Sequence, residues 1–143
     1  MKIYLASGYH RRGELQHISR ELEDKGFHIN ARWLTQDHTL PEARSTEAAG
    51  EEIPRVASQF AVDDYEDIKA CNVFILFSER ADTRIRRGGS QTELGMAIAL
   101  GKFVIVIGPR QNVFHCLRSV RQIRYFTFTE LLSMLEEIES LLG

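Results

Sequence analysis

Val73-Phe-Ile-Leu-Phe77 is a run of five apolar residues, and Phe103-Val-Ile-Val-Ile107 repeats it thirty positions later. A strand with one wet face alternates apolar and polar residues. A continuous run instead marks a strand covered by helices on both faces, which is the habit of parallel sheets. Between the two runs lies Arg86-Arg-Gly-Gly-Ser-Gln-Thr-Glu-Leu-Gly-Met-Ala-Ile-Ala-Leu-Gly-Lys102. It reads as an Arg/Gly loop and a helix of small and apolar residues closed by Gly101. Strand, crossover helix and strand are thus set out in order.

The same alternation extends both ways. Ile3-Tyr-Leu-Ala6 is a short buried strand ending at a Ser7-Gly8 turn. Leu15, Ile18 and Leu22 recur at helical spacing, with Gly26 placed to stop that helix. Phe27 to Leu34 reads as a second strand and Thr35 to Ser45 as a polar loop. A helical region then runs from about Thr46 to Ala70, with Pro54 marking a break or a fresh start. After Gly108 the connection is a helix or a loop. Arg124 to Phe128 reads as a weaker last strand, and Leu131, Leu135, Ile138 and Leu142 trace one face of a final helix. With right-handed crossovers this order gives a single domain, residues 1–143: an α/β three-layer sandwich around a five-stranded parallel sheet.

The totals fit that reading. A chain of 143 residues with 43% hydrophobic and 27% charged residues buries one proper core. A formal net charge of −2 argues against a nucleic-acid polymer as partner. Basic residues cluster only locally, at Arg11-Arg12 and at Arg80, Arg84, Arg86 and Arg87, which suits a small anion. Two cysteines, Cys71 and Cys116, without a CxxC pattern read as buried free thiols in a reducing compartment. The first residues lack a signal-peptide core and no run is long enough to span a membrane, so a cytoplasmic protein is expected. Five histidines without metal-like pairing make a zinc site a poor fit, and no cofactor is expected.

Ligands of parallel sheets bind beyond the carboxyl ends of the strands. The segments to inspect are therefore Ser7–Arg12, Trp33–Leu40, Ser78–Glu93 and Gly108–His115. Ser90-Gln-Thr-Glu93 matches a capping box, with Ser90 as N-cap. The same Glu93 also stands where a helix dipole would keep a carboxylate nucleophile ionised, and Gly88-Gly89 would let a ligand approach the backbone. Asp64 lies six residues before the end of its helix, whose start points to the ligand edge. It is either a solvated acid or a site carboxylate. Tyr4 reads as a core tyrosine with a satisfied hydroxyl. Trp33 and His38 stand where an aromatic stacks on a planar ligand, although a core role fits Trp33 equally. Asn112 and His115 form a loop cap or a supporting polar set. Arg84, Arg86 and Arg87 are either solvated or placed for a phosphate.

Four stretches together carry a resemblance: Ile3-Tyr-Leu-Ala-Ser-Gly-Tyr9, Asp64 to Asn72 before a strand, Gly88-Gly-Ser-Gln-Thr-Glu-Leu-Gly-Met-Ala97, and Gly101-Lys-Phe-Val104. The chain resembles the nucleoside 2-deoxyribosyltransferase superfamily, which includes 2′-deoxynucleoside 5′-monophosphate N-glycosidases and CMP hydrolases. The resemblance implies a flavodoxin-like, Rossmann-like fold. It also implies Glu93 as the nucleophile at the anomeric carbon, Tyr4 as the residue that orients it, and Asp64 working at the base. Ser7, Gly8, Tyr9, Arg12, Trp33, His38, Arg87, Gly88, Gly89, Ser90, Asn112 and His115 then become candidates for substrate binding. The implied partners are a small nucleoside or nucleotide and further copies of the chain, as a homodimer or higher homo-oligomer, with Asn112 and His115 reaching across or bracing the sugar end.

Two positions depart from the pattern. Asn72 replaces a usual aspartate that is mainly structural. Arg87 stands where the transferases have an aspartate and the monophosphate glycosidases a phosphate-contacting serine. An arginine there favours a nucleotide hydrolase over base exchange on free deoxynucleosides. A nucleotide-binding module without turnover is the remaining alternative.

Overall fold

The computed structural model describes residues 1–36, 52–79 and 88–143. Among these, five strands alternate with helices: β1 (Lys2–Ala6), α1 (Arg12–Asp24), β2 (His28–Ile29), α2 (Glu52–Ala70), β3 (Val73–Phe77), α3 (Gly89–Ala99), β4 (Phe103–Ile107), β5 (Val120–Ile123) and α4 (Phe128–Leu142). The strands form one parallel sheet in the order β2-β1-β3-β4-β5, the flavodoxin-like arrangement. The continuous apolar runs are its two central strands after β1. Every residue of β3 is buried, as are four of the five in β4.

Right-handed crossovers place α1 on one face and α2 with α3 on the other. Alternate side chains follow suit. Tyr4 of β1 stacks on Phe74 of β3, centroids 5.5 Å apart, on the α2/α3 side. Arg121 of β5 reaches Glu137 of α4 at 3.1 Å on the opposite side, which puts α4 beside α1. Gly26 and Gly101 both hold positive φ just past their helices, where a glycine is the unstrained choice.

Three boundaries differ from the sequence reading. The second strand is only two residues long, and Arg32–Leu34 form a 3-10 turn in place of its continuation. The turn forms because Trp33 is drawn inward: its Nε1–H donates to the Leu5 carbonyl at 2.8 Å. The last strand is Val120–Ile123, ahead of the expected Arg124–Phe128, whose Tyr125 is 76% exposed. Pro54 is the third residue of α2 and not a break, since first-turn N–H groups have no intrahelical acceptor to lose.

The open connection between β4 and β5 contains only a 3-10 turn, Val113–Cys116. Residues 37–45 of the expected polar loop and 46–51 of the expected helical region lie outside the described residues. Of the two thiols, Cys71 is buried as expected, but Cys116 is exposed because it ends that short turn at the surface. No helix among the described residues is long and apolar enough to cross a membrane.

Candidate active site

The site grows from one contact. Tyr4 points its hydroxyl off β1 toward α3 and donates a hydrogen bond to Glu93 Oε2. Tyr4 is fully buried, so its ring cannot swing away, and the bond fixes the carboxylate as well as the phenol. The capping box does not form. Gly88, at φ +79°, turns the chain into the helix directly, so Ser90 lies inside α3 and Glu93 falls in its second turn. The Gly88 carbonyl is taken by the Thr92 N–H at 3.0 Å and the Thr92 hydroxyl at 3.2 Å. Glu93 is thereby left to face the sheet.

Asp64 approaches from α2, which packs against α3. Its charge raises the proton affinity of both Glu93 and Tyr4, which marks the three as one electrostatic group. Burial pushes the Glu93 carboxyl up to about 8, against the opposing hydrogen bond from Tyr4, with Asp64 adding a smaller upward push. Burial also pushes Asp64 up to about 7, helped by Asp67 and Asp63 and opposed by Arg32. Tyr4 is raised well above its ordinary value, by burial first and then by Glu93 and Asp64, so it stays a donor at any ordinary pH. With both carboxyls raised toward neutrality, one can be protonated while the other is ionised. That is the condition for one to attack as a carboxylate while the other donates a proton.

The other expected contacts sort by position. Ser7 is buried, its hydroxyl donating to the Gly8 carbonyl at 2.9 Å. The Gly8 N–H points to Glu79 Oε1 at 3.3 Å, and a Cβ on Gly8 would meet that oxygen at 2.7 Å and the His10 ring at 2.6 Å. A Cβ there would have to push aside the ends of these two side chains. Tyr9 lies at the surface, its ring 6.2 Å from Trp33. Trp33 is 6% exposed and belongs to the core, so it offers no open face for stacking. Arg12 spends its guanidinium on the chain itself: Nε to the Leu34 carbonyl at 3.2 Å, Nη2 to the Gln36 carbonyl at 2.6 Å and Nη1 to the Tyr9 hydroxyl at 3.0 Å. It ties the turn after β2 to the start of α1. Gly88 and Gly89 are exposed at the head of α3, and Ser90 is half-buried beside them. His38, Arg80, Arg84, Arg86 and Arg87 lie outside the described residues.

Asn112 and His115 serve within the chain. His115 is fully buried and accepts the Gln111 N–H on Nδ1 at 3.1 Å. That fixes its proton on Nε2, which donates to Gln91 Oε1 at 2.9 Å. Burial lowers the affinity of His115 for a second proton, keeping it neutral. Asn112 donates to the same Gln91 oxygen at 3.1 Å while its own oxygen caps the 3-10 turn through Phe114 N–H at 2.9 Å. The His115 ring is turned into the chain, whereas Asn112 is exposed. The pair braces the first turn of α3, two residues before Glu93.

Sequence reasoning passed over four participants. Gln91 and Gln111 link α3 to the loops after β3 and β4, with Gln111 Nε2 donating to the Glu79 carbonyl at 2.6 Å. Asp67, which is buried, pairs with the exposed guanidinium of Arg32 behind Asp64, Nε to Oδ1 at 3.1 Å. Only the polar run Asp63–Asp67 hinted at this, and a charge run alone does not name its partner. Asn72 is structural: its Oδ1 accepts the Lys2 N–H at 2.8 Å and stitches β1 to β3. Among the described residues, no group of three or more His, Cys, Asp or Glu side chains is arranged to hold a metal ion.

The architecture is found in two nucleoside-processing enzymes of known structure. One is the CMP N-glycosidase BcmB of Clostridium botulinum, at 23% identity and a TM-score of 0.58, with 95% of this chain covering 98% of that one. The other is a 2-deoxyribosyltransferase of Bacillus psychrosaccharolyticus, at 22% identity and a TM-score of 0.60, covering 92% and 90% of the two chains. The chain shares their fold. No protein-family model matches it, and no curated protein matches it significantly.

Proposed function

We propose that this protein belongs to the nucleoside 2-deoxyribosyltransferase superfamily and cleaves the N-glycosidic bond of a nucleoside 5′-monophosphate. The observation that carries the reading is the Tyr4–Glu93 hydrogen bond beside Asp64. It is supported by the fold shared with an N-glycosidase and a deoxyribosyltransferase.

Breaking an N-glycosidic bond builds positive charge on the sugar ring, which a carboxylate a few ångströms away stabilises and then captures. Glu93 attacks the anomeric carbon, and the bond from that carbon to the base nitrogen breaks with its electron pair leaving on the base. Asp64 gives its proton to the departing base. Water then attacks the glycosyl ester at the anomeric carbon, with Asp64 taking up the proton and Glu93 leaving as a carboxylate. The products are free base and sugar phosphate with retained configuration. A second base in place of water gives transfer by the same residues. Arg87, where the transferases have an aspartate, favours the phosphorylated substrate and water.

The test is base release by the wild type and by Glu93→Ala from deoxy- and ribonucleosides and their 5′-monophosphates. Release by the wild type alone, strongest from monophosphates and unchanged by added acceptor base, supports hydrolysis. Preference for free deoxynucleosides with base exchange supports the transferase alternative. Saturable nucleotide binding without release from any substrate supports a binding module.

We also propose a homodimer. Val113 (77% exposed) and Phe114 (60%) stand in the β4–β5 connection, which supplies no covering helix, and Tyr125 (76%) is exposed just past β5. Light scattering tests this: a monomer at micromolar concentration refutes it.

A further inference from the structure

Four acids crowd into five positions of α2: Asp63, Asp64, Glu66 and Asp67. Asp64 interacts with Glu93 and Tyr4, whereas the other three meet Arg32. The arginine sits in the 3-10 turn after β2. Its Nε lies 3.1 Å from Asp67 Oδ1 and its backbone N–H donates to Asp67 Oδ2 at 2.8 Å. Its Nη1 lies 3.5 Å from Asp63 Oδ1, and its Nη2 reaches Glu66 Oε2 at 3.2 Å and the Asp63 carbonyl at 3.1 Å. Asp67 is only 6% exposed, so its charge needs this partner.

We propose that Arg32 is a positioning residue that sets how firmly Asp64 holds its proton, by neutralising the two aspartates that flank Asp64 on α2. The proposal rests on the reading of Asp64 as the group that protonates the departing base. Among the described residues, the charged and titratable groups coupled to Asp64 include Tyr4 from β1, Glu93 from α3, Asp63 and Asp67 from α2 itself, and Arg32 from the turn. Four of these are acids. Arg32 is the cation among them, and it is held against the Asp67 carboxylate one helical turn beyond Asp64.

Without Arg32, two unneutralised carboxylates stand beside Asp64 and its proton is retained to higher pH. The proton shared by Asp64 and Glu93 then lies more on Asp64. Removing the charge of Asp67 while keeping Arg32 acts in the opposite direction: Asp64 loses a negative neighbour, keeps a positive one, and releases its proton more readily. A turn that merely holds the fold predicts no such opposition of sign.

The experiment follows the Asp64 carboxyl by carbon NMR in full-length protein labelled with 13C-carboxyl aspartate, with its resonance assigned by Asp64→Asn. Arg32→Gln is expected to raise its apparent midpoint by about half to one pH unit. Arg32→Lys, which keeps the charge, moves it by less than half as much. Asp67→Asn lowers it. An unmoved midpoint in folded Arg32→Gln, or a shift of the same sign in Arg32→Gln and Asp67→Asn, overturns the proposal. If Arg32→Gln does not fold, Arg32→Lys against Asp67→Asn carries the comparison: both shifts of one sign, or no fall in Asp67→Asn, overturns it. The readout needs no turnover. Midpoints that move as stated in a protein that releases no base would sink the glycosidic reading and leave the role of Arg32 standing.

Discussion

Replacing Tyr4 by phenylalanine removes one oxygen and leaves the ring that stacks on Phe74 at 5.5 Å and 7°. The only described side-chain partner lost is the Glu93 carboxylate. A hydrogen bond to a charged group contributes about 1.5–3 kcal/mol, equivalent to roughly one to two pH units in the proton affinity of Glu93. Burial raises both carboxyls, Glu93 to about 8 and Asp64 to about 7, so near neutrality the two compete for a proton. The proposed reaction needs that proton on Asp64 and Glu93 ionised.

Loss of the tyrosine hydroxyl shifts that competition toward a protonated Glu93 by about 10- to 100-fold. The plateau of kcat for base release should fall by the same factor. The alkaline limb should move up by about one to two pH units, because Glu93 gives up its last proton later. The assay is a pH profile of kcat and KM from pH 5.5 to 10 on the preferred substrate. A plateau within about threefold of the wild type, with an unmoved alkaline limb, would refute the assignment of Tyr4 as the group that holds Glu93 ionised.

Three further outcomes follow from the geometry. Glu93 and Asp64 hold their protons more tightly folded than unfolded, so their contribution to stability is complete below the ordinary carboxylate range and is lost as pH rises through about 7 to 8. Glu93→Gln escapes its share of that loss, and its melting temperature should exceed the wild type's by a margin that widens from pH 5 to pH 8.5, reaching about 3 °C or more; a constant margin contradicts the assigned direction. Gly88→Ala finds open space for its Cβ but must hold φ near +79°, which costs roughly 1–2 kcal/mol in urea unfolding; an unchanged midpoint would mean that α3 can start elsewhere. His115→Leu leaves the Gln91 oxygen and the Gln111 N–H without the ring between them, and should cost about 2–3 kcal/mol of stability while lowering kcat more than it raises KM; a normal kcat would show that the brace does not reach Glu93.

The central sheet was legible because both of its deepest strands are continuous apolar runs, and a pattern so local needs no partner to be read. The helices α1 and α4 were legible for the same reason: Leu15, Ile18 and Leu22, or Leu131, Leu135 and Ile138, recur at helical spacing and are buried, whereas Leu142, the last of the expected α4 stripe, is exposed at the helix end. β5 was misplaced because Tyr125 and Phe126 are better strand formers than Arg121 and Gln122, yet pairing with β4 decides. The capping box failed because a left-handed glycine competes with a serine for the same helix start.

Tyr4, Asp64 and Glu93 were named from motif and resemblance. What the sequence could not reveal were the side-chain partners that distance in the chain conceals. Arg32 and Asp67 are 35 residues apart, and Gln91 and His115 are 24 apart. Trp33, equally readable as platform or core, was decided by one hydrogen bond to the carbonyl of Leu5.

The Tyr4–Glu93 contact joins residues 89 positions apart, across strands that are themselves paired over long loops, Ile3 with Val73 and Val73 with Phe103. No contiguous fragment shorter than that separation contains both members of the pair. Nascent chain emerging in order presents the tyrosine and the aspartate long before the glutamate, and the three meet only when the first strand has been enclosed by the third. Such non-local parallel pairing is slow, on the order of milliseconds to seconds. Recovery of base release during refolding is therefore a clock for closure of the whole sheet, and it should lag the return of helical signal.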